Sequence, residues 1–319
     1  MRLLRTYDVD ALASVELGLA AARKTAELVA RGTLTTSRLQ VGDEKAWTRV
    51  LVGIAPDLGV VGYKEFHRVD KSVHYHVSLF DYASGESLGI VDGRRITSLR
   101  TASTAALALS HGLGAEPVRI AVVGSGEEAR EGLRAVAGAA NVETAAIFSP
   151  TAANREALAS WASAELGVEA RAVATVAEAV EGANAAYLAT AARSPVVYAA
   201  DLAAMRFVAA VGATRPDHHE LCGDAFGAAS EVVIDCHDSL EEPGDAIEAV
   251  SDFGWDPARA LLLGRWLEGE PGAAEGQVLF KSIGSVEQDL VLALELLRAG
   301  EERGLGEVID PIGSLRTMR

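Results

Sequence analysis

The stretch Val118-Arg119-Ile120-Ala121-Val122-Val123-Gly124-Ser125-Gly126-Glu127-Glu128-Ala129 decides the fold. Its first six residues are almost wholly apolar, the pattern of a strand covered on both faces of a sheet. The next six read G-x-G-x-x-A, a glycine turn that opens a helix. In that context the first glycine permits a tight turn and the second lets the backbone approach a pyrophosphate. The small third residue lets the helix pack on the strand. The helix N-terminus adds unpaired N–H groups and the positive end of its dipole. Gly124, Ser125, Gly126, Glu127, Glu128 and Ala129 are therefore cofactor-binding candidates. The two glutamates suit the dipole but compete with a diphosphate unless they point away.

Downstream, further short strands are expected over 144–148, 168–173, 185–189, 207–211 and 231–235 and at Val278–Lys281, with a helix at Ala152–Leu166 after the second strand. Strand–helix alternation at this spacing predicts an α/β fold with a parallel, doubly wound (Rossmann) sheet. Upstream the pattern differs. A helix is expected over 8–31, with Asp8 as N-cap and Gly32 as its stop. Strands rich in β-branched and aromatic residues follow over 47–54, 60–66, 73–80 and 87–91. Pro56-Asp57, Ser84-Gly85 and Asp92-Gly93 punctuate them, the last reading as a hairpin turn. Strands joined this tightly should be antiparallel. A helix over 97–111 completes this α+β unit, and a last helix over 286–298 lies beyond the α/β pattern. The expected division is 1–114 with 286–319, and 115–285.

Composition narrows the partners. Of 319 residues, 29 are Lys or Arg and 45 are Asp or Glu, a formal charge of −16, so nucleic acid and anionic membrane surfaces are excluded as partners. Cys222 and Cys236 make no Cys-x-x-Cys pair and no disulfide framework. Asp8 and Asp10 interrupt the N-terminus before a leader's apolar core forms, and no run approaches the ~18 apolar residues of a spanning helix. A cytoplasmic protein is expected.

An NAD site usually places a carboxylate at the end of the second strand, to hold the ribose hydroxyls. Here that end reads Ser149-Pro150-Thr151, with Arg155 beyond. Two hydroxyls and a guanidinium suit a 2′-phosphate, so NADP(H) is favoured, with NAD(H) as the alternative.

Four stretches resemble the ornithine cyclodeaminase/mu-crystallin family. They are Gly62-Tyr63-Lys64; Ser84-Gly85 with Gly89-Ile90-Val91-Asp92-Gly93 and Thr97-Ser98-Leu99-Arg100-Thr101-Ala102; Gly212-Ala213-Thr214-Arg215-Pro216-Asp217-His218-His219-Glu220-Leu221; and Phe280-Lys281-Ser282-Ile283-Gly284-Ser285-Val286-Glu287-Gln288-Asp289-Leu290. With the glycine turn they keep the family's order over nearly the whole chain. The resemblance implies a homodimer whose α+β unit binds an amino or imino acid and pairs the subunits, while the Rossmann unit holds the nicotinamide. It implies hydride exchange between the nicotinamide and the substrate's α-carbon, as in a cyclic ketimine reductase or an amino-acid dehydrogenase. A cyclodeaminase with recycled NAD and an NADPH-dependent binding protein are its alternatives.

The family's substrate lysine falls on Lys64, its carboxylate-binding arginine on Arg100, and a second arginine on Arg38. Thr101, Thr190, Gly212 and Ser282 join the cofactor-binding candidates. An α-imino acid needs its carboxylate held, which an arginine fork does, and a partly desolvated lysine exchanges protons. Where the family usually carries an aspartate, this chain has Thr214. A hydroxyl is no general base near neutral pH, which favours reduction of a preformed imine over cyclodeamination. His67, His74 and His76 are expected to line the cleft or to be structural, the latter pair sharing one strand face. No zinc-type ligand spacing is present, so no metal is expected.

Overall fold

The computed structural model describes residues 1–43, 45–70, 72–311 and 313. These fall into two compact units, Met1–Arg100 with the chain from Ser285, and Thr101–Gly284.

The first unit opens with β1 (Arg2–Leu4), α1 (Thr6–Leu12) and α2 (Val15–Arg31). The single helix expected over 8–31 is thus two. Ser14 starts the second, its hydroxyl accepting from the Leu17 N–H at 3.1 Å, while Asp8 sits inside α1 and accepts from the Arg5 N–H. Gly32 ends α2 at φ +66°. There follow β2 (Thr35–Gly42), β3 (Ala46–Ala55), β4 (Val60–Val69), β5 (Ser72–Asp81) and β6 (Ser87–Asp92). Each pairs antiparallel with the next. The strands β1 and β2 were not foreseen. Nor is Asp92-Gly93 a hairpin: it joins β6 to α3 (Gly93–Leu113), and the Asp92 carboxylate caps the Arg94 N–H. The division between these compact units falls between Arg100 and Thr101, within α3, which runs unbroken across it.

The second unit contains β7 (Val118–Val123), α4 (Glu127–Ala139), β8 (Val142–Phe148), α5 (Ala152–Leu166), β9 (Glu169–Val173), α6 (Val176–Val180) and β10 (Ala185–Leu188). It continues through β11 (Arg193–Val197), β12 (Phe207–Ala210), β13 (His219–Leu221), α7 (Asp224–Ala228), β14 (Glu231–Ile234), α8 (Gly244–Ser251), β15 (Leu261–Leu262), α9 (Leu263–Trp266) and β16 (Val278–Lys281). Among the described residues the main sheet runs β15-β14-β16-β12-β10-β7-β8-β9, all parallel. The order reverses between β7 and β10, so the strands' carboxyl ends open a crevice there. Its core includes Ala121, Val123, Leu188, Val208, Phe226, Ile234 and Leu279.

The chain then returns to the first unit as α10 (Val286–Arg303) and β17 (Glu307–Val308). The sheet there is ordered β17-β1-β6-β5-β4-β3-β2. Leu290, Leu294 and Leu297 of α10 share one core with Leu51, Val77, Leu79 and Val91 of the sheet. Their i, i+4, i+7 spacing makes that face of the helix apolar.

Candidate active site

In the second unit the cofactor candidates collect at the carboxyl ends of five neighbouring strands. Gly124 follows β7, Ser149 follows β8, Thr190 lies just past β10, Gly212 just past β12, and Ser282 follows β16. Gly124 has φ +122°, and a Cβ there would run into the Ala189 carbonyl oxygen. Only glycine lets the two loops meet at the point where the strand order reverses. Gly126 caps α4 in an extended conformation, and a Cβ on it would meet nothing within 4 Å. The fold does not require that second glycine, so the open space over the helix N-terminus fits an approaching diphosphate. Ala129 is fully buried beneath the turn. Glu127 is exposed and Glu128 half-buried on the first turn of α4.

Around the end of β8 the Ser125 hydroxyl donates to the Ser149 hydroxyl at 2.9 Å, and that in turn to the Thr151 carbonyl. Arg155 donates to the carbonyl of Ser149 at 2.9 Å. The three residues singled out for the cofactor's ribose end, Ser149, Thr151 and Arg155, are therefore one cluster, joined to the glycine turn through Ser125. Residues 149–155 contain no carboxylate.

Sequence reasoning assigned no role to the charged residues beneath the neighbouring loops. Glu220 is 1% exposed and accepts from the N–H groups of Thr190 (3.0 Å), Gly212 (2.7 Å) and Ala213 (3.2 Å), and from the Thr190 hydroxyl. Lys281, fully buried, donates to the Ala213 carbonyl at 3.0 Å and to Asp245 at 2.9 Å. Both sides of residue 213 are thus held by interior charges, next to the half-buried Thr214. Burial pushes the Glu220 carboxyl up from its ordinary 4.5 to about 7; Lys281 pulls against that shift and Asp245 adds to it. Ser282, the next residue after Lys281, donates at 2.7 Å to Asp235, which follows the neighbouring strand β14. The signal in the sequence was a charge inside a short apolar strand, as at Lys281.

In the first unit Lys64 and Arg100 come together around a residue not singled out for the site, Asp289. Lys64 on β4 is 3% exposed; its Nζ lies 2.9 Å from Asp289 Oδ1 and donates to the Thr97 hydroxyl at 2.7 Å. The Phe66 and Tyr75 ring centroids lie 5.7 and 5.8 Å from the same ammonium, a favourable setting for a desolvated cation. Arg100 Nε is 3.7 Å from the same Asp289 oxygen. Arg38 shares the sheet face: it pairs with Leu51, which pairs with Lys64, two strand spacings or roughly 10 Å away. Thr101 is buried on α3, one residue past Arg100.

His67, His74 and His76 lie on the opposite face of the sheet. Glu65 bridges His67 at 2.8 Å and His76 at 3.2 Å, while the rings of His67 and His74 stack. Among the described residues no group of three or more His, Cys, Asp or Glu is placed to hold a metal ion. His218 lies in the loop after Thr214, where burial pulls its imidazole below the ordinary value and Asp217 opposes the shift.

Residues 61–298 match the sequence profile of the ornithine cyclodeaminase/mu-crystallin family. The chain belongs to this family. Among its relatives, the Δ1-pyrroline-2-carboxylate reductase of Bacillus cereus is 27% identical over 298 residues, 89% of this chain and 91% of that one. The ketimine reductase mu-crystallin of Mus musculus is 28% identical over 218 residues, 68% of this chain and 66% of that one. The family fold is shared with the Thermococcus litoralis Δ1-pyrroline-2-carboxylate reductase, solved with NADH and L-proline, at a TM-score of 0.88 and 24% identity. That match covers 97% of this chain and all of the other. No helix among the described residues is long and apolar enough to cross a membrane.

Proposed function

We propose that this family member is a cytoplasmic NAD(P)H-dependent reductase of a cyclic α-imino acid of the Δ1-pyrroline-2-carboxylate class. The observation that carries the reading is the buried Lys64 and the half-buried Arg100 sharing one buried carboxylate, in a chain that also bears the glycine turn.

Arg100 is the fork for the substrate carboxylate, with Arg38 a second cation on the same sheet face. Lys64 holds the imine side of the substrate and is the donor of the proton taken up by the nitrogen. The nicotinamide, when bound, supplies the hydride that reduces the α-carbon, so one hydride and one proton convert C=N to CH–NH. Gly124 to Ala129, Thr190, Gly212 and Ser282 seat that cofactor, with Thr101 assigned to the same group. Thr214 supports reduction over cyclodeamination, since it carries no carboxylate to act as a base or to pair with a substrate ammonium.

Ser149, Thr151 and Arg155 favour NADPH over NADH. Replacing Arg155 by Ala removes a charge-assisted contact worth about 1.5–3 kcal/mol. Expected is a ~10- to 100-fold loss of kcat/KM for NADPH with NADH little changed. Equal losses for both cofactors would count against this assignment.

The sheet face opposite Lys64 exposes Leu39 (64%), Val41 (55%), Val52 (43%) and Ile54 (41%). Four exposed apolar side chains on one face of the neighbouring strands β2 and β3 support a homodimer through this surface.

The test is steady-state oxidation of NADPH, and separately of NADH, with Δ1-pyrroline-2-carboxylate and its six-membered homologue. Turnover with either imine is expected, faster with NADPH. Cofactor binding without turnover on either would overturn the reductase and leave a binding protein.

A further inference from the structure

Three glycines let α10 settle close on the sheet. A Cβ on Gly53 would lie 2.8 Å from a Leu290 methyl, one on Gly62 equally close to the other, and one on Gly89 2.6 Å from Leu297. That approach delivers Asp289, the residue before Leu290, to Lys64, which is two residues after Gly62 on the same face of β4. The carboxylate is 1% exposed. A buried ion pair is a poor device for stability, since apolar residues of the same volume serve as well. A lysine head on a flexible four-carbon stem, however, points nowhere in particular unless something holds it.

We propose that Asp289 is a positioning residue of the hydride-transfer site: its carboxylate pins Lys64 and Arg100 side by side and cuts their joint charge to a single positive, matched to one substrate carboxylate. The proposal rests on the reading of Lys64 and Arg100 as the cations that receive the substrate. Thr97 completes the arrangement. Its hydroxyl proton goes to the Gly93 carbonyl at 2.9 Å, leaving its lone pairs to accept from Lys64. With Asp289 neutral, two positive charges would face the substrate. The site would then take up small anions that the wild type rejects, and Lys64 would lose the partner that fixes its direction.

The experiment compares full-length wild type with Asp289→Asn, Lys64→Met and the double variant. Each is measured for NADPH affinity, for steady-state reduction of Δ1-pyrroline-2-carboxylate, and for inhibition by chloride. Asp289→Asn is expected to keep NADPH affinity within twofold, to lose about 30- to 100-fold in kcat with no rise in KM, and to be inhibited by about tenfold less chloride, competitively with the imine. In the Lys64→Met background the same change should alter kcat by no more than about threefold, because the proton donor that Asp289 positions is already gone. Unchanged chloride sensitivity, or a loss that adds fully onto Lys64→Met, would overturn the proposal. If Asp289→Asn does not fold, Asp289→Glu keeps the charge but moves it by one methylene. It should then lose about tenfold in kcat at wild-type chloride sensitivity, and a wild-type kcat would overturn the proposal. Should the wild type reduce no imine, the functional reading fails by itself. Calorimetric binding of pyrrole-2-carboxylate, with and without chloride, then decides the role of Asp289 on the same chloride criterion, and no binding to the wild type overturns both.

Discussion

Gly124→Ala should cost the protein a large share of its stability, while Gly126→Ala, two residues away, should change stability little and weaken cofactor binding. At Gly124 a side chain meets two penalties at once. The backbone sits at φ +122°, where an L residue is strained by about 1–3 kcal/mol. The added methyl also presses on the Ala189 carbonyl, and forcing packed backbone apart adds about 1–3 kcal/mol more. A loss of roughly 4 kcal/mol is a large share of the 5–15 kcal/mol by which a native protein is stable. At Gly126 neither penalty exists: φ is −79° and nothing lies within 4 Å of a Cβ. Alanine is a poorer N-cap than glycine by about 0.5–1 kcal/mol, small beside the loss at Gly124. The methyl would instead stand in the space assigned to the diphosphate, and an overpacking cost of about 2 kcal/mol corresponds to a ~30-fold weaker Kd. Thermal unfolding without ligand and NADPH fluorescence titration check both halves. Wild-type NADPH affinity in Gly126→Ala would show that the dinucleotide does not lie over that turn.

This division of labour within one motif was legible because the motif is contiguous: an apolar strand, a turn and a helix start are all in twelve neighbouring residues. Lys64 and Arg100 were legible only through the family resemblance, since a lysine on a strand and an arginine on a helix carry no local signal. Asp289, Glu220 and Asp245 had none that periodicity detects, and Lys281 showed only as a charge inside a short apolar strand. Each lies in or near an apolar run, and each gains its meaning from a partner 30 or more positions away in the chain, or from loops of other strands. Local chemistry also misled in two places. Asp92-Gly93 has the residues of a tight turn, yet the Asp92 side chain caps a helix. Good helix formers run on both sides of Ser14, yet its hydroxyl takes the Leu17 N–H and starts a new helix. In both cases a side chain competing for backbone N–H groups outweighed propensity.

Glu220→Gln should make the protein more stable above pH 7 and a poorer binder of its cofactor. An isolated glutamate in the unfolded chain titrates near 4.5, and in the fold burial raises it to about 7. Between those values the native state holds the proton that the unfolded state has released. Stability contributed at this site is therefore full below about pH 4.5 and is lost as pH rises to about 7. The shift corresponds to about 3 kcal/mol. Glutamine resembles the protonated acid, so variant and wild type should unfold at similar denaturant concentrations at pH 5. At pH 8 the variant should lead by about 3 kcal/mol, and comparing the two proteins cancels the titrating groups that do not interact with Glu220. An advantage that does not change between pH 5 and pH 8 would show that Glu220 does not titrate in this window. The carboxylate persists despite that cost because its two oxygens accept from Thr190, Gly212 and Ala213 together. A glutamine offers one oxygen and turns an N–H₂ toward donors. One loop must then let go, and both belong to the proposed cofactor crevice. A gain in stability with a loss of NADPH affinity at pH 8 is the expected signature of a residue kept for geometry against its own energetic interest.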